Sequence, residues 1–181
     1  MCAGCVGGSG GYSPNYSYAA STSAAPKNTD PSTVTIKQSA YATSIEVESD
    51  VGERAGDGTT IYLLAGSIDK KTGAVRTFVQ WGEIYTARDW RFYSRASTNK
   101  SEPLEFNEVS RKVSSCSRGS CVYNEMYNVY FTPAQMRQAG SAGLDFKVFG
   151  RRGDERVVTI PAAVVADFNA KMVEAAKLRG R

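Results

Sequence analysis

The chain has 181 residues, 41% of them hydrophobic and 22% charged, with a formal net charge of +4, a balance that suits a globular protein with one sizeable core. It contains no histidine, which excludes Ser-His-Asp and Cys-His catalysis and every His-ligated zinc site. No apolar run approaches the roughly 20 residues that a membrane-spanning helix needs.

Residues 1–33 read as a disordered tether. Gly7, Gly8, Gly10 and Gly11, prolines 14, 26 and 31, and many Ser, Thr and Ala leave Tyr12, Tyr16 and Tyr18 as its only large groups. Such a segment buries too little apolar surface to offset its ordering entropy.

From Val34 the hydrophobic pattern alternates with period two, and residues 34–181 read as a single β-rich domain. Expected strands cover 34–38, 42–49, 59–66, 74–85, 90–97, 104–115, 121–131, 143–150 and 155–160. Turn chemistry separates them: Asp57-Gly58, Asp69 to Gly73, Thr86 to Asp89, and Arg151 to Asp154. Many short strands at this spacing predict an antiparallel β-sandwich or barrel.

Two helices interrupt the pattern. The first is expected over Pro133–Ala139, with Thr132 and Gln135 as a capping box, Pro133 at the first helical position and Gly140 as the stop. The second is a C-terminal amphipathic helix over 161–177. Val164, Val165, Phe168 and Met172 form one stripe that packs on a face or open end of the sheet, and Asp167 and Lys171 form an i,i+4 pair opposite.

Cys116 and Cys121 flank a short loop containing Gly119, between two strand-like runs. Cross-strand Cα separations of about 4.5–5.5 Å suit a disulfide, which tolerates about 4.4–6.8 Å. With 116 facing 121, the ladder sets 114 against 123, 112 against 125 and 110 against 127. Lys112 then meets Glu125, and Val109, Val113, Val122 and Met126 share the reverse face. A Cys116–Cys121 disulfide is therefore expected, and it calls for an oxidising compartment. Cys2 and Cys5 would complete a four-cysteine zinc set, but no turn or knuckle structure holds them. Neither a metal nor a cofactor is expected.

Charge is uneven along the chain. Residues 1–145 hold fourteen basic and fourteen acidic side chains, and residues 146–181 hold eight against four. The basic end reads as a solvated face rather than a nucleic-acid site. Arg152-Gly153-Asp154, an integrin-type tripeptide, reads as ordinary turn chemistry.

Aromatic residues supply the candidate contact surface. If residue 85 pairs with residue 90 across a hairpin, Trp81, Tyr85, Trp90 and Arg91 gather on neighbouring strands, and Arg118 joins them as a contact at the cysteine loop. The bland alternative is a sheet stabilised by cross-strand aromatic pairs. No spacing nominates a catalytic carboxylate pair.

The opening Cys2-Ala3-Gly4-Cys5, followed by the polar tether, resembles the mature start of a bacterial lipoprotein. The resemblance implies lipid on Cys2, or on Cys5, whose preceding Ala3 and Gly4 fit the small residues of a lipobox while Cys2 departs from its usual Leu. It also implies a signal peptide already removed. Ala3 resembles the outer-membrane sorting choice. The Val157-Val158-Thr159-Ile160-Pro161-Ala162 stretch before the last helix is similar to small envelope proteins of Gram-negative bacteria. The expectation is a non-catalytic, lipid-anchored cell-envelope protein with a binding or assembly role. Its partners would be the membrane, through the lipid, and an envelope protein or glycan, with no nucleic acid. A carboxylate-based glycan hydrolase would instead show two carboxylates about 5–9.5 Å apart beside Trp81 or Trp90. A small-ligand carrier would show an enclosed apolar cavity.

Overall fold

The computed structural model describes residues 34–39, 41–55 and 58–180. The expected tether, with Cys2 and Cys5, lies outside them. Among the described residues ten strands form two antiparallel sheets, and the larger has the order β1 (Val34–Lys37), β2 (Ser44–Ala55), β3 (Gly58–Asp69), β4 (Val75–Ala87), β8 (Ser120–Phe131), β7 (Phe106–Ser117). The smaller runs β10 (Glu155–Ile160), β9 (Leu144–Phe149), β5 (Arg95–Thr98), β6 (Pro103–Leu104). The large sheet ends in β1 on one side and β7 on the other, so it stays open, and the two layers form a sandwich rather than a closed barrel.

The period-two pattern explains the layering. On β4, Thr77, Val79, Trp81, Glu83 and Tyr85 are buried on one face, as are Tyr123, Glu125, Tyr127, Val129 and Phe131 on β8. Two covers share that inner face. Helix α2 (Ala162–Lys177) lies against β1, β2 and β3 through Val164, Val165, Phe168, Met172 and Ala175. The small sheet covers the β4–β8 half, where the rings of Phe131 and Phe146 meet 5.5 Å apart. Trp81, Tyr93, Tyr127, Phe146 and Phe168 fill the interior.

Several local expectations hold. Asp69 Oδ1 accepts hydrogen bonds from the Thr72 amide (2.6 Å) and hydroxyl (2.7 Å), and Gly73 takes φ +75° to close the β3–β4 turn. Thr132 and Gln135 form the capping box at the start of helix α1 (Pro133–Ala142). Others differ for physical reasons. Helix α1 runs through Gly140 and stops at Gly143, which takes φ +85°. Gly140 serves packing instead: a Cβ there would meet Asn169 Nδ2 of α2 at 3.0 Å. Lys171 bonds Glu174 at 2.8 Å, and Asp167 acts on it only through its charge, without a direct bond.

The long β7–β8 hairpin carries the largest correction. Cys116 faces Cys121, and the two form a disulfide. Arg118 (φ +50°) and Gly119 (φ +80°) make a two-residue connection of the type that matches strand twist. Below the disulfide, β7 bulges between Val113 and Ser115 and again between Glu108 and Ser110. Each bulge adds one residue to one strand only. The first moves the register by one, so Arg111, not Lys112, faces Glu125, and Lys112 faces Asn124 on the other side of the sheet. Val109 and Val113 are consequently exposed rather than joined to Val122 and Met126 in an apolar face.

The disulfide closes a loop between residues five apart in sequence, for which loop-closure entropy gives a stabilisation of about 2 kcal/mol. Replacing both cysteines by serine should lower the urea-unfolding free energy by about that amount while leaving the far-UV circular dichroism unchanged.

Candidate functional site

Two carboxylates face each other inside the sandwich. Glu83 on β4 and Glu125 on β8 are register partners, at 1% and 0% exposure. Period-two alternation puts both on the core face. An uncompensated charge there would cost several kcal/mol, so each carboxylate is surrounded by donors. Glu83 Oε1 accepts from Arg91 Nη1 (2.5 Å) and Arg156 Nε (2.9 Å), and its Oε2 accepts from the Tyr93 hydroxyl (2.7 Å). Glu125 Oε1 accepts from the Tyr85 hydroxyl and the Phe92 amide, and its Oε2 accepts from Arg111 Nε (3.2 Å) and the Tyr127 hydroxyl. All four carboxylate oxygens are thus occupied.

The donors come from separate parts of the fold. Arg111 is placed by the β7 bulge, Arg156 comes from β10 of the other sheet, and Arg91, Phe92 and Tyr93 belong to the segment 88–94. That segment is not the expected hairpin. β4 continues to Ala87, which pairs with Cys121, and residues 88–94 then cross to the small sheet. Tyr85 therefore faces Tyr123 and Gly58, not Trp90. The connector is tied along its length. The Arg91 amide donates to the Tyr85 hydroxyl, Arg111 Nη2 donates to the Tyr93 carbonyl, and the Arg151 amide donates to the Arg91 carbonyl. Phe92 is held at φ +51°, a conformation that costs a bulky residue on the order of 1–3 kcal/mol.

Of the residues expected to form a contact surface, Trp81 and Tyr85 are core residues, at 0% and 2% exposure. Trp81 packs between Tyr93 and Tyr127, at 4.8 and 6.0 Å. Its Nε1 is buried without a hydrogen-bond acceptor among the described residues. Trp90 is half-buried, its ring tilted against Tyr123 at 4.5 Å and near Phe92 at 5.9 Å. Arg91 is a half-buried member of the carboxylate network, and its guanidinium lies over the Tyr85 ring at 4.2 Å. Arg118 is exposed at the hairpin tip, with no contact to the other four among the described residues. The structure thus brings Trp81, Tyr85, Trp90 and Arg91 together around one segment, with two inside and two at its surface.

Sequence reasoning passed over Glu83, Tyr93, Arg111, Tyr127 and Arg156. Alternation with Trp81 and Tyr85 was a usable signal for Glu83. Nothing local marks Arg156, whose role exists only once the sheets meet.

The outer side of this region is basic and aromatic. The Arg151 guanidinium lies over the Phe92 ring at 4.0 Å, Arg111 lies 5.0 Å from the same ring, and Arg95 lies over Phe149 at 4.4 Å. Beside them an open groove of about 470 Å³ is lined by Ser94, Arg95, Ser97, Ser101, Phe106 and Phe149, among others. Among the described residues no group of three or more Cys, Asp or Glu is placed to hold a metal ion, and no helix is long and apolar enough to cross a membrane. Compared with family models, curated proteins and solved structures, the chain matches none.

Burial, reinforced by the neighbouring carboxylates, pushes the phenols of Tyr85, Tyr93 and Tyr127 well above their ordinary value near 10. Below pH 10 these groups are protonated in both folded and unfolded chains, and their contribution to stability is constant. Above it the unfolded chain loses three protons that the folded chain keeps, so stability falls with rising pH by up to about 4 kcal/mol per unit. Alkaline titration should show the last phase of phenolate absorbance and the loss of tertiary circular dichroism rising together. Glu125→Gln should cost about 1–3 kcal/mol in urea unfolding, because the buried Tyr85 and Tyr127 hydroxyls and the Phe92 amide lose a charged acceptor, while Arg111 keeps Glu108 at 2.6 Å. Gly150→Ala should cost about 1–3 kcal/mol, since a Cβ there would meet the Arg91 carbonyl oxygen at 2.5 Å.

Proposed function

We propose that this is a non-catalytic binding protein of the bacterial cell envelope, held at the membrane by lipid on Cys2 or Cys5. Its contact surface is the outer side of segment 88–94. The observation that carries the non-catalytic part is the state of the two carboxylates. A hydrolase needs one carboxyl free to give up a proton and another free to attack or to activate water. Glu83 and Glu125 sit beside Trp81 and so resemble such a pair, but they are sealed from solvent and every oxygen is engaged. They act as a fastener beneath the connector. A carrier role finds less support, since the interior is filled with aromatic side chains and the groove is open to solvent.

The envelope part is supported by the Cys116–Cys121 disulfide, which persists only in oxidising compartments, and by the lipoprotein-like start of the chain. The outer side of this segment presents half-buried Trp90 and Phe92, with Arg151 over the Phe92 ring, and Trp and Arg are among the residues that dominate binding hot spots.

Intact-mass measurement of the natural full-length protein, taken from membranes without reductant, tests the address. The expected result is an acylated chain two hydrogens lighter than its reduced form. An unmodified and fully reduced chain would overturn the envelope reading.

A further inference from the structure

The outer half of the β7–β8 hairpin holds two pairing registers. Arg111, Lys112 and Val113 face Glu125, Asn124 and Tyr123, while Ser115, Cys116 and Ser117 face Val122, Cys121 and Ser120. Ser114 is the surplus residue between them. The inner register is set by a buried charge, since Arg111 bonds Glu125. The outer register is set by the bond between Cys116 and Cys121. Residues 112–119 are exposed, so burial of one face does not specify the pairing there. The two-residue turn also puts Arg118 at φ +50°, which is unfavourable for a residue with a Cβ.

A second arrangement, free of the bulge, is open to the same residues. Carrying the inner register outward sets Ser114 against Val122, Ser115 against Cys121 and Cys116 against Ser120. Val122 faces a serine in both arrangements. Ser117, Arg118 and Gly119 become a three-residue turn, whose favoured form ends in a residue at positive φ. Gly119 already holds φ +80°, and Arg118 returns to the ordinary region. The disulfide forbids this arrangement, because a one-residue slip carries Cys116 to the face opposite Cys121.

We propose that the disulfide is a redox-controlled latch on strand register. Reducing it lets residues 114–117 slip by one and expels the bulge into the turn. A dithiol supplies the two electrons. Its thiolate attacks the sulfur of exposed Cys116, and Cys121 leaves as a thiolate and takes up a proton. The second thiol of the dithiol then displaces Cys116, which is protonated in turn, and the reductant closes its own disulfide. The slip puts the two thiols on opposite faces, so the bond re-forms only after the register returns. Cys116 comes to lie on the face of Ser120 and Val122, and Ser115 takes its place opposite Cys121. Arg111 keeps Glu125 throughout, which confines the change to the tip. The latch depends on the hairpin alone and holds whether or not the chain is anchored at a membrane.

Nuclear magnetic resonance of the isotope-labelled full chain, before and after dithiothreitol, tests the latch. In the oxidised protein Cys121 should show its cross-strand contact to Cys116. After reduction that contact should move to Ser115, while the signals of Arg111, Glu125 and the core stay in place. A chain without Ser114 has no surplus residue, so one register satisfies both the charge pair and the cysteines. Its Cys116–Cys121 contact should survive reduction. A reduced natural chain that keeps the Cys116–Cys121 contact, or that loses every cross-strand contact beyond Val113, would overturn the proposal. So would a slip in the chain lacking Ser114, because the bulge would then not be its cause.

Discussion

Two negative charges facing each other across adjacent strands, away from water, are the constraint around which this sandwich is arranged. Alone, Glu83 and Glu125 would repel each other and pay for lost hydration. They are tolerated because three arginines, three tyrosines and one backbone amide converge on them. Those donors belong to β4, β7, β8, β10 and the connector between the sheets. No single hairpin can satisfy either carboxylate. A chain with the large sheet formed but β10 undocked leaves Glu83 without Arg156. Such a half-assembled state is penalised twice, by lost packing and by an under-compensated charge. Buried polar groups of this kind favour one arrangement over near alternatives rather than adding much net stability.

The same network explains why the connector can hold an unfavourable backbone conformation. Phe92 sits at positive φ with its amide on Glu125 and its ring beneath Arg151. The inner side of residues 88–94 is therefore fixed by charge-assisted bonds, while the outer side presents Trp90 and Phe92 beside arginines. Rigid placement of aromatic and cationic groups reduces the ordering cost that a ligand must otherwise offset. The two carboxylates, buried and fully hydrogen-bonded, support the connector from beneath.

Much of the architecture is legible in the residue pattern. Alternation gives most strands, the Thr132–Gln135 box gives the start of α1, and the cysteine spacing gives the disulfide pair. The site is less legible, and the reasons are specific. The bulge at Ser114 leaves no mark in a strand already rich in serine, yet it decides whether lysine or arginine reaches Glu125. Thr86 to Asp89 has the composition of a tight turn, but β4 continues through it because Thr86 and Ala87 pair with Val122 and Cys121. Gly140 reads as a helix stop, whereas it is small because α2 lies close to it. Arg156 acts across the gap between two sheets, a relation that no local window contains.

The disulfide stands at one end of a ladder whose other fixed point is the Arg111–Glu125 pair, with the Ser114 bulge between them. A bulge on an edge strand is a dislocation. Where side chains on both faces are solvated, nothing prevents it from gliding along the strand, and each passage advances the register by one residue. Here both ends of the glide path are pinned, one covalently and one by a buried charge. The extra residue is trapped between them. The staple at the tip therefore closes the end of the path that no buried charge guards.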